Sequence, residues 1–283
     1  MRNSFKRFVA HKFPRIIALY RMLRITKGSF SFTGWGMTTD TTTQPPWNNI
    51  TTGAKLNSAA GFNNANEKLQ ILLDRNNFHL SQFSHVADLE QVLTSLKWRH
   101  YFVYWTALYA ARYTKSDEKN LVECGVADGM TAWFSMEALE NTHKNYKCYL
   151  YDSWAITKEE YLSINEKKKA GAYSYLNIES TAKNLNEKLN NVIFNQGYIP
   201  NIFPEGDNPS NLIWLHIDLN SALATLESLE FFFDKIVPHG IVLFDDYANF
   251  DHLETKKVVD NFFATKNVEL IQLPTGQAFV IKA

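Results

Sequence analysis

Cysteine is nearly missing from this chain: Cys124 and Cys148 are the only two in 283 residues. Both fall inside short apolar runs, where a free thiol packs as a small hydrophobe. Two such residues cannot build a disulfide framework, and their spacing suits no zinc site. Long hydrophobic runs are missing too. No stretch approaches the roughly 18 apolar residues of a spanning helix. Lys6, Arg7, Lys12 and Arg15 interrupt the apolar residues where a secretory signal would lie, so a cytoplasmic protein is expected. Net charge is also absent, with 29 Lys and Arg against 29 Asp and Glu. The balance hides an asymmetry. Residues 1–66 hold nine Lys or Arg and one acid, Asp40, a net +8, which leaves −8 on the remainder. A basic head on an acidic body is not the basic face of a nucleic-acid enzyme.

The dinucleotide fingerprint G-x-G-x-x-G is absent as well. What stands in its place is LVECGVADG, residues 121–129. An apolar run reaches Glu123, then Gly125 and Gly129, then a helical pattern from Met130. A strand that turns sharply into a helix leaves backbone N–H groups free and needs glycine where a ligand comes close. The spacing E-x-G-x-x-x-G puts a carboxylate where a phosphate would be repelled and a cationic ligand held. Alone it fits a ligand loop and an ordinary tight turn equally. The next strand, KCYLYD, ends in Asp152, 23 residues after Gly129. An acid roughly 20 residues beyond the glycine turn is placed to hydrogen-bond a ribose diol. An acidic turn with a ribose acceptor and no phosphate cradle points to S-adenosylmethionine. The alternative for Asp152 is a helix N-cap acting with Ser153.

Residues 4–24 carry Phe5, Phe8, Val9, Phe13, Ile16, Ile17, Tyr20 and Leu23 at helical spacing, with Pro14 as a kink. Such a helix either lies on an anionic membrane surface or packs on the body or a second subunit. Residues 28–66 are rich in Gly, Thr, Asn and Pro and embed Trp35 and Trp47. A solvated linker rarely keeps two tryptophans, so this stretch reads as a lid or as a loop stapled down by its aromatics. Residues 1–66 therefore form an N-terminal extension to a domain at 67–283. That domain opens with a helical lead-in, 67–115, containing EKLQILLD, ADLEQVLTSLKW and RHYFVYWTALYAARY. The last is apolar nearly all round and is expected to be buried against the sheet or a partner in a homo-oligomer. His79, His85 and His100 read as structural residues.

The core, 120–283, alternates strand and helix. Strands are expected at 121–126, 147–152, 192–197, 211–218, 240–246, 268–274 and 277–283. Continuous apolar strands between amphipathic helices mean a parallel sheet covered on both faces. Only Thr275 and Gly276 separate the last two, which forces an antiparallel hairpin. Six parallel strands and one antiparallel strand near the C-terminal edge make an α/β, Rossmann-like sheet of the class I methyltransferase type.

In such sheets ligands bind at the carboxyl ends of the strands. Those ends hold Glu123, Asp152, Gly197, Asp218, Asp245 and Asp246. The fourth and fifth strands are neighbours in the usual order, so Asp218, Asp245 and Asp246 converge. Three carboxylates together repel unless a cation sits among them. Oxygen ligands without His or Cys suit Mg²⁺. The alternative is that some of them cap the following helices.

The run HIDLNSALATLESLEFFFDKIVPHGIVLFDDYANF resembles the macrocin O-methyltransferase, or TylF-like, family, in which an Asp-x-Asp-x-Tyr segment leads to a strand ending Asp-Asp-Tyr. VECGVADG, YDSW and NQGYIPNIFPE resemble that family's other motifs, and the likeness spans about 120–283. Asn220 and Ala222 depart from it, standing where the family has aspartate and tyrosine. The resemblance implies that Glu123, Gly125, Gly129, Asp152, Ser153, Gly197 and Tyr198 bind S-adenosylmethionine. It implies Mg²⁺ on Asp218, Asp245 and Asp246, with Asp218 next to the acceptor hydroxyl as base. The expectation is an S-adenosylmethionine-dependent, Mg²⁺-assisted O-methyltransferase for a glycoside or other polyol. A non-catalytic nucleoside-binding module is the competing reading. A nicotinamide oxidoreductase is disfavoured by the acidic glycine turn.

Overall fold

The computed structural model describes residues 31–32, 37–38, 58–81, 89–140, 143, 145–249 and 252–283. The basic segment 4–24, Trp35, Trp47 and His85 lie outside them. The chain divides into two units, residues 1–49 with 83–95, and 50–82 with 96–283. The first unit contains a two-stranded antiparallel hairpin, β1 (Ser31–Phe32) and β2 (Met37–Thr38).

The second unit opens with α1 (Ser58–Asp74). This helix starts nine residues before the stretch expected from sequence and runs across the boundary placed at 66. Its Ser, Asn and Gly residues read as loop by composition. Ala59, Phe62, Ala65 and Leu69 nevertheless recur on one buried face, and that burial overrides weak propensity. Helix α2 (Leu89–Tyr113) is one continuous helix of 25 residues, not two. Nothing between Trp98 and Arg99 breaks it, since neither Pro nor Gly intervenes. Nor is it buried all round. Val103, Tyr104, Ala107, Leu108, Ala110 and Ala111 are buried, but Trp105, Tyr109 and Tyr113 run along a less buried side, their rings tilted against one another with centroids 5.4 and 4.6 Å apart in turn.

Seven strands form the sheet: β3 (Lys119–Cys124), β4 (Tyr146–Asp152), β5 (Val192–Gln196), β6 (Leu212–Ile217), β7 (Ile236–Phe244), β8 (Leu270–Gln272) and β9 (Ala278–Ile281). Their spatial order is β5-β4-β3-β6-β7-β9-β8. All neighbours pair in parallel except β9, which is antiparallel to β7 and β8. This is the expected class I methyltransferase architecture. β3 and β6 are wholly buried, as strands covered on both faces must be. Helices α3 (Met130–Glu140), α4 (Ile178–Asn184), α5 (Ala222–Phe232) and α6 (Leu253–Phe263) complete the unit. Cys124 and Cys148 are buried free thiols. Among the described residues no helix is long and apolar enough to cross a membrane.

The topology fixes where a ligand can bind. From β3 the chain builds outward through β4 and β5, then returns to add β6 on the other side of β3. Connections from β3 and β6 leave in opposite directions and open a crevice between their carboxyl ends.

Candidate functional site

The strand ends are held level by hydrogen bonds that continue the ladder one residue further. The N–H groups of Gly125, Asp218 and Asp245 donate to the carbonyls of Tyr151, Cys124 and Ile217 at 2.8, 2.9 and 3.0 Å. Gly125 has φ +86°, and a Cβ there would lie 2.0 Å from the Asp218 carbonyl oxygen. Only glycine fits that approach. Gly129 also has positive φ, but it packs towards Thr181 and Leu185, away from the crevice.

Asp152 ties the glycine turn down. Its Oδ2 accepts from the backbone N–H groups of Val126 and Ala127 at 2.7 and 3.0 Å, and its Oδ1 accepts from Trp154 N–H at 2.7 Å. No helix begins at this point, so the N-cap alternative is replaced by a clamp between two strand ends.

Glu123 does not line the crevice. It pairs in register with His216 on β6, so both side chains share one face of the sheet. Its carboxylate is 1% exposed and lies 3.2 Å from His216 Nδ1. Burial, reinforced by the charges of Asp218 and Asp152, pushes the Glu123 carboxyl well above the usual range. Burial, with help from Arg99 and His100, pulls His216 down to about 3. Both groups are held towards their neutral forms.

Over the strand ends lies a cleft of about 360 Å³. Gly125, Ala127, Asp152, Ser153, Gly197 and Tyr198 line one part of it; Arg99, Asp218, Asn220, Asp246 and His252 line another. Residues 155–177 supply a further wall. This segment is anchored beyond β6, where Ser221 Oγ donates to Tyr161 O at 2.5 Å and Ala222 N–H donates to the buried Glu166 at 3.0 Å. The Tyr161 ring stacks on Tyr198, centroids 4.7 Å apart and planes 4° from parallel. Tyr173, with φ +62°, turns its hydroxyl to accept from Asn220 Nδ2 at 2.8 Å.

Asp218, Asp245 and Asp246 do converge. One oxygen from each lies within 4.8 Å of the others. Burial pushes the Asp218 carboxyl up to about 7; Arg99 opposes the rise, and Asp246 and Asp152 add to it. Asp246 faces His252 Nδ1 at 3.4 Å and accepts from Asn249 Nδ2 at 3.2 Å. The cluster already contains a cation that no sequence motif announces. Arg99 Nε donates to Asp245 Oδ1 at 2.6 Å, and Nη2 reaches Asp218 Oδ2 at 3.2 Å and Asp245 Oδ2. The oxygen-only donor set fits Mg²⁺ in type.

Of the residues expected at the site, Gly125, Asp152, Ser153, Gly197, Tyr198, Asp218 and Asp246 line the cleft. Glu123, Gly129 and Asp245 support it from behind. His79 is exposed, and His100 is buried against Phe134 with its pKa lowered to about 3 by burial. Arg99, Tyr173 and His252 were not anticipated. The one available signal was Arg99 itself, a charge at the head of the largely apolar and aromatic run 101–111.

Residues 122–247 match a family model described as a methyltransferase domain. No curated protein matches the chain. Among solved structures, the O-methyltransferase NovP superposes with a TM-score of 0.56 at 20% identity, over 65% of this chain and 79% of that one. CalS11, a calicheamicin methyltransferase, superposes at 0.51 and 13% identity, over 77% and 91%. These likenesses are of fold. The sheet order is that of the class I methyltransferase fold, and residues 122–247 within it match a methyltransferase domain.

Proposed function

We propose that the protein is an S-adenosylmethionine-dependent O-methyltransferase acting on a hydroxyl of a sugar or other polyol. The observation that carries this is Asp218. A carboxyl raised to about 7 by burial lines the same cleft as the glycine turn and Asp152. A base matched to neutral pH is what deprotonation of an alcohol needs.

The cofactor would lie over Gly125 and Ala127, with its ribose at Asp152. Asp152 already accepts three backbone hydrogen bonds, yet a carboxylate has about four lone-pair sites and can accept one more. The acceptor would enter beside Asp218, Asn220 and Tyr173. S-adenosylmethionine, when bound, would supply an electrophilic methyl carbon and a neutral thioether leaving group, and Asp218 would take the proton of the acceptor hydroxyl. The leaving group is neutral, so the protein's share is alignment and proton removal. Mg²⁺ on Asp218, Asp245 and Asp246, when bound, would supply Lewis acidity towards the hydroxyl.

The fold likeness to NovP and CalS11 supports an O-methyl acceptor in a natural-product context. The test incubates purified protein with S-adenosylmethionine and a panel of glycosides, and reads S-adenosylhomocysteine together with methylated product by mass spectrometry. Turnover that Asp218→Asn removes is expected, with parallel reactions in EDTA and in added Mg²⁺. Cofactor binding by calorimetry without turnover on any polyol would favour the non-catalytic module instead.

A further inference from the structure

We propose that Arg99 is the resident counter-cation of the acid cluster and competes with a divalent metal for Asp218 and Asp245. The inference rests on the reading of that cluster as a metal site, but not on the acceptor or on turnover.

Three carboxylates with oxygens within 4.8 Å of one another require positive charge among them. Arg99 provides it from α2, far away in sequence. A guanidinium is planar, permanently charged and forked, so it can grip a carboxylate with two nitrogens. Arg99 does this at Asp245, with Nε on Oδ1 and Nη2 on Oδ2, while Nη2 also reaches Asp218. Gln277 adds to the grip. Its Nε2 donates to Asp245 Oδ1 at 3.0 Å and to the Arg99 carbonyl at 3.4 Å.

The lone pairs on Asp245 decide whether two cations can be held at once. Of about four acceptor sites on a carboxylate, the two on Oδ1 already serve Arg99 Nε and Gln277 Nε2, and Arg99 Nη2 is ion-paired against Oδ2. A metal on the same oxygens must share them with a like-charged neighbour or displace it. The two partners differ in freedom: the Asp245 side chain is 2% exposed and the Arg99 side chain 34%. Asp245 is fixed, whereas Arg99 borders the cleft and is the group able to withdraw. Arg99 therefore sets how tightly the cluster takes a metal. It also keeps the acids compensated while no metal is bound.

The experiment titrates Mn²⁺ into the full chain and follows loss of the free-ion electron paramagnetic resonance signal. Wild type is compared with Arg99→Gln and Arg99→Lys, each first checked for fold by circular dichroism. Arg99→Gln should bind Mn²⁺ at least tenfold more tightly than wild type, and adding Asp245→Asn to it should abolish the gain. Arg99→Lys keeps the charge but loses the fork, and should fall between. If Arg99→Gln does not fold, the Lys variant decides alone: tighter binding than wild type supports the competition, and equal or weaker binding overturns it. Equal affinities in all three proteins, weaker binding in the variants, or no binding in any would likewise overturn the proposal. Calorimetry with S-adenosylmethionine on the same samples tests the methyltransferase reading separately, because the cofactor's expected contacts lie on β3 and β4.

Discussion

Gly125 and Asp218 meet across the β3–β6 crevice so closely that a single methyl group on Gly125 would lie 2.0 Å from the Asp218 carbonyl oxygen. The left-handed φ of +86° compounds the demand. Gly125→Ala must both strain the turn and push the β6 end outward. The expected cost is about 2–3 kcal/mol of stability, within the range for strained backbone and steric clash. Cofactor affinity should drop at least tenfold. Urea unfolding and calorimetry measure the two effects; a variant with wild-type values for both would show that the crevice is not a fixed site.

Asp152 shares its charge among three backbone N–H groups. Asp152→Asn keeps the shape but turns one oxygen into a donor facing other donors. Hydrogen bonds to a charged acceptor are worth roughly 1.5–3 kcal/mol. S-adenosylmethionine should therefore bind about tenfold more weakly or worse, with greater protease sensitivity around residues 125–129. Unchanged affinity would place the ribose elsewhere.

Tyr173 and Asn220 join the 155–177 segment to the Asp218 side of the cleft. Tyr173→Phe removes that hydrogen bond without emptying the site. Acceptor KM should rise several-fold while cofactor affinity stays the same. If cofactor binding falls instead, this segment belongs to the cofactor's half of the cleft.

Glu123 and His100 should give opposite pH signatures. The folded state raises the Glu123 pKa, so above its unfolded value, about 4.3, the native chain holds a proton that the unfolded chain has lost. Stability from this source falls as pH rises. Glu123→Gln, a neutral mimic that can still bond His216, should gain stability relative to wild type as pH goes from 5 to 8. His100 is lowered to about 3, so between about 3 and 6.5 the unfolded chain binds the extra proton. Wild type should therefore lose stability relative to His100→Gln as pH drops from 7 to 5. Parallel urea midpoints at each pH check both differences, and curves that stay parallel would mean these groups ionise normally in the native state.

Much of the fold was written locally. β4 could be read from KCYLYD because its interior is aromatic and apolar and its end is an acid. The antiparallel β9 could be read because two residues cannot span a crossover. The start of α1 could not, since Ser58–Asn66 has loop-like composition and becomes helix only when Phe62 is buried.

The acid trio and the glycine turn were determined by the sequence itself, because strand periodicity and sheet polarity bring strand ends together whatever the side chains do. Tertiary structure alone decided the facing of Glu123. Its register with His216 turned the carboxyl away from the cleft and into the interior. It alone decided the partner of the trio as well. Arg99 stands 119 and 146 positions from Asp218 and Asp245, and no local pattern encodes a contact of that range. That contact depends on how α2 lies against the sheet, which the packing of the whole unit sets, and electrostatics then draws the charge to the acids that need it.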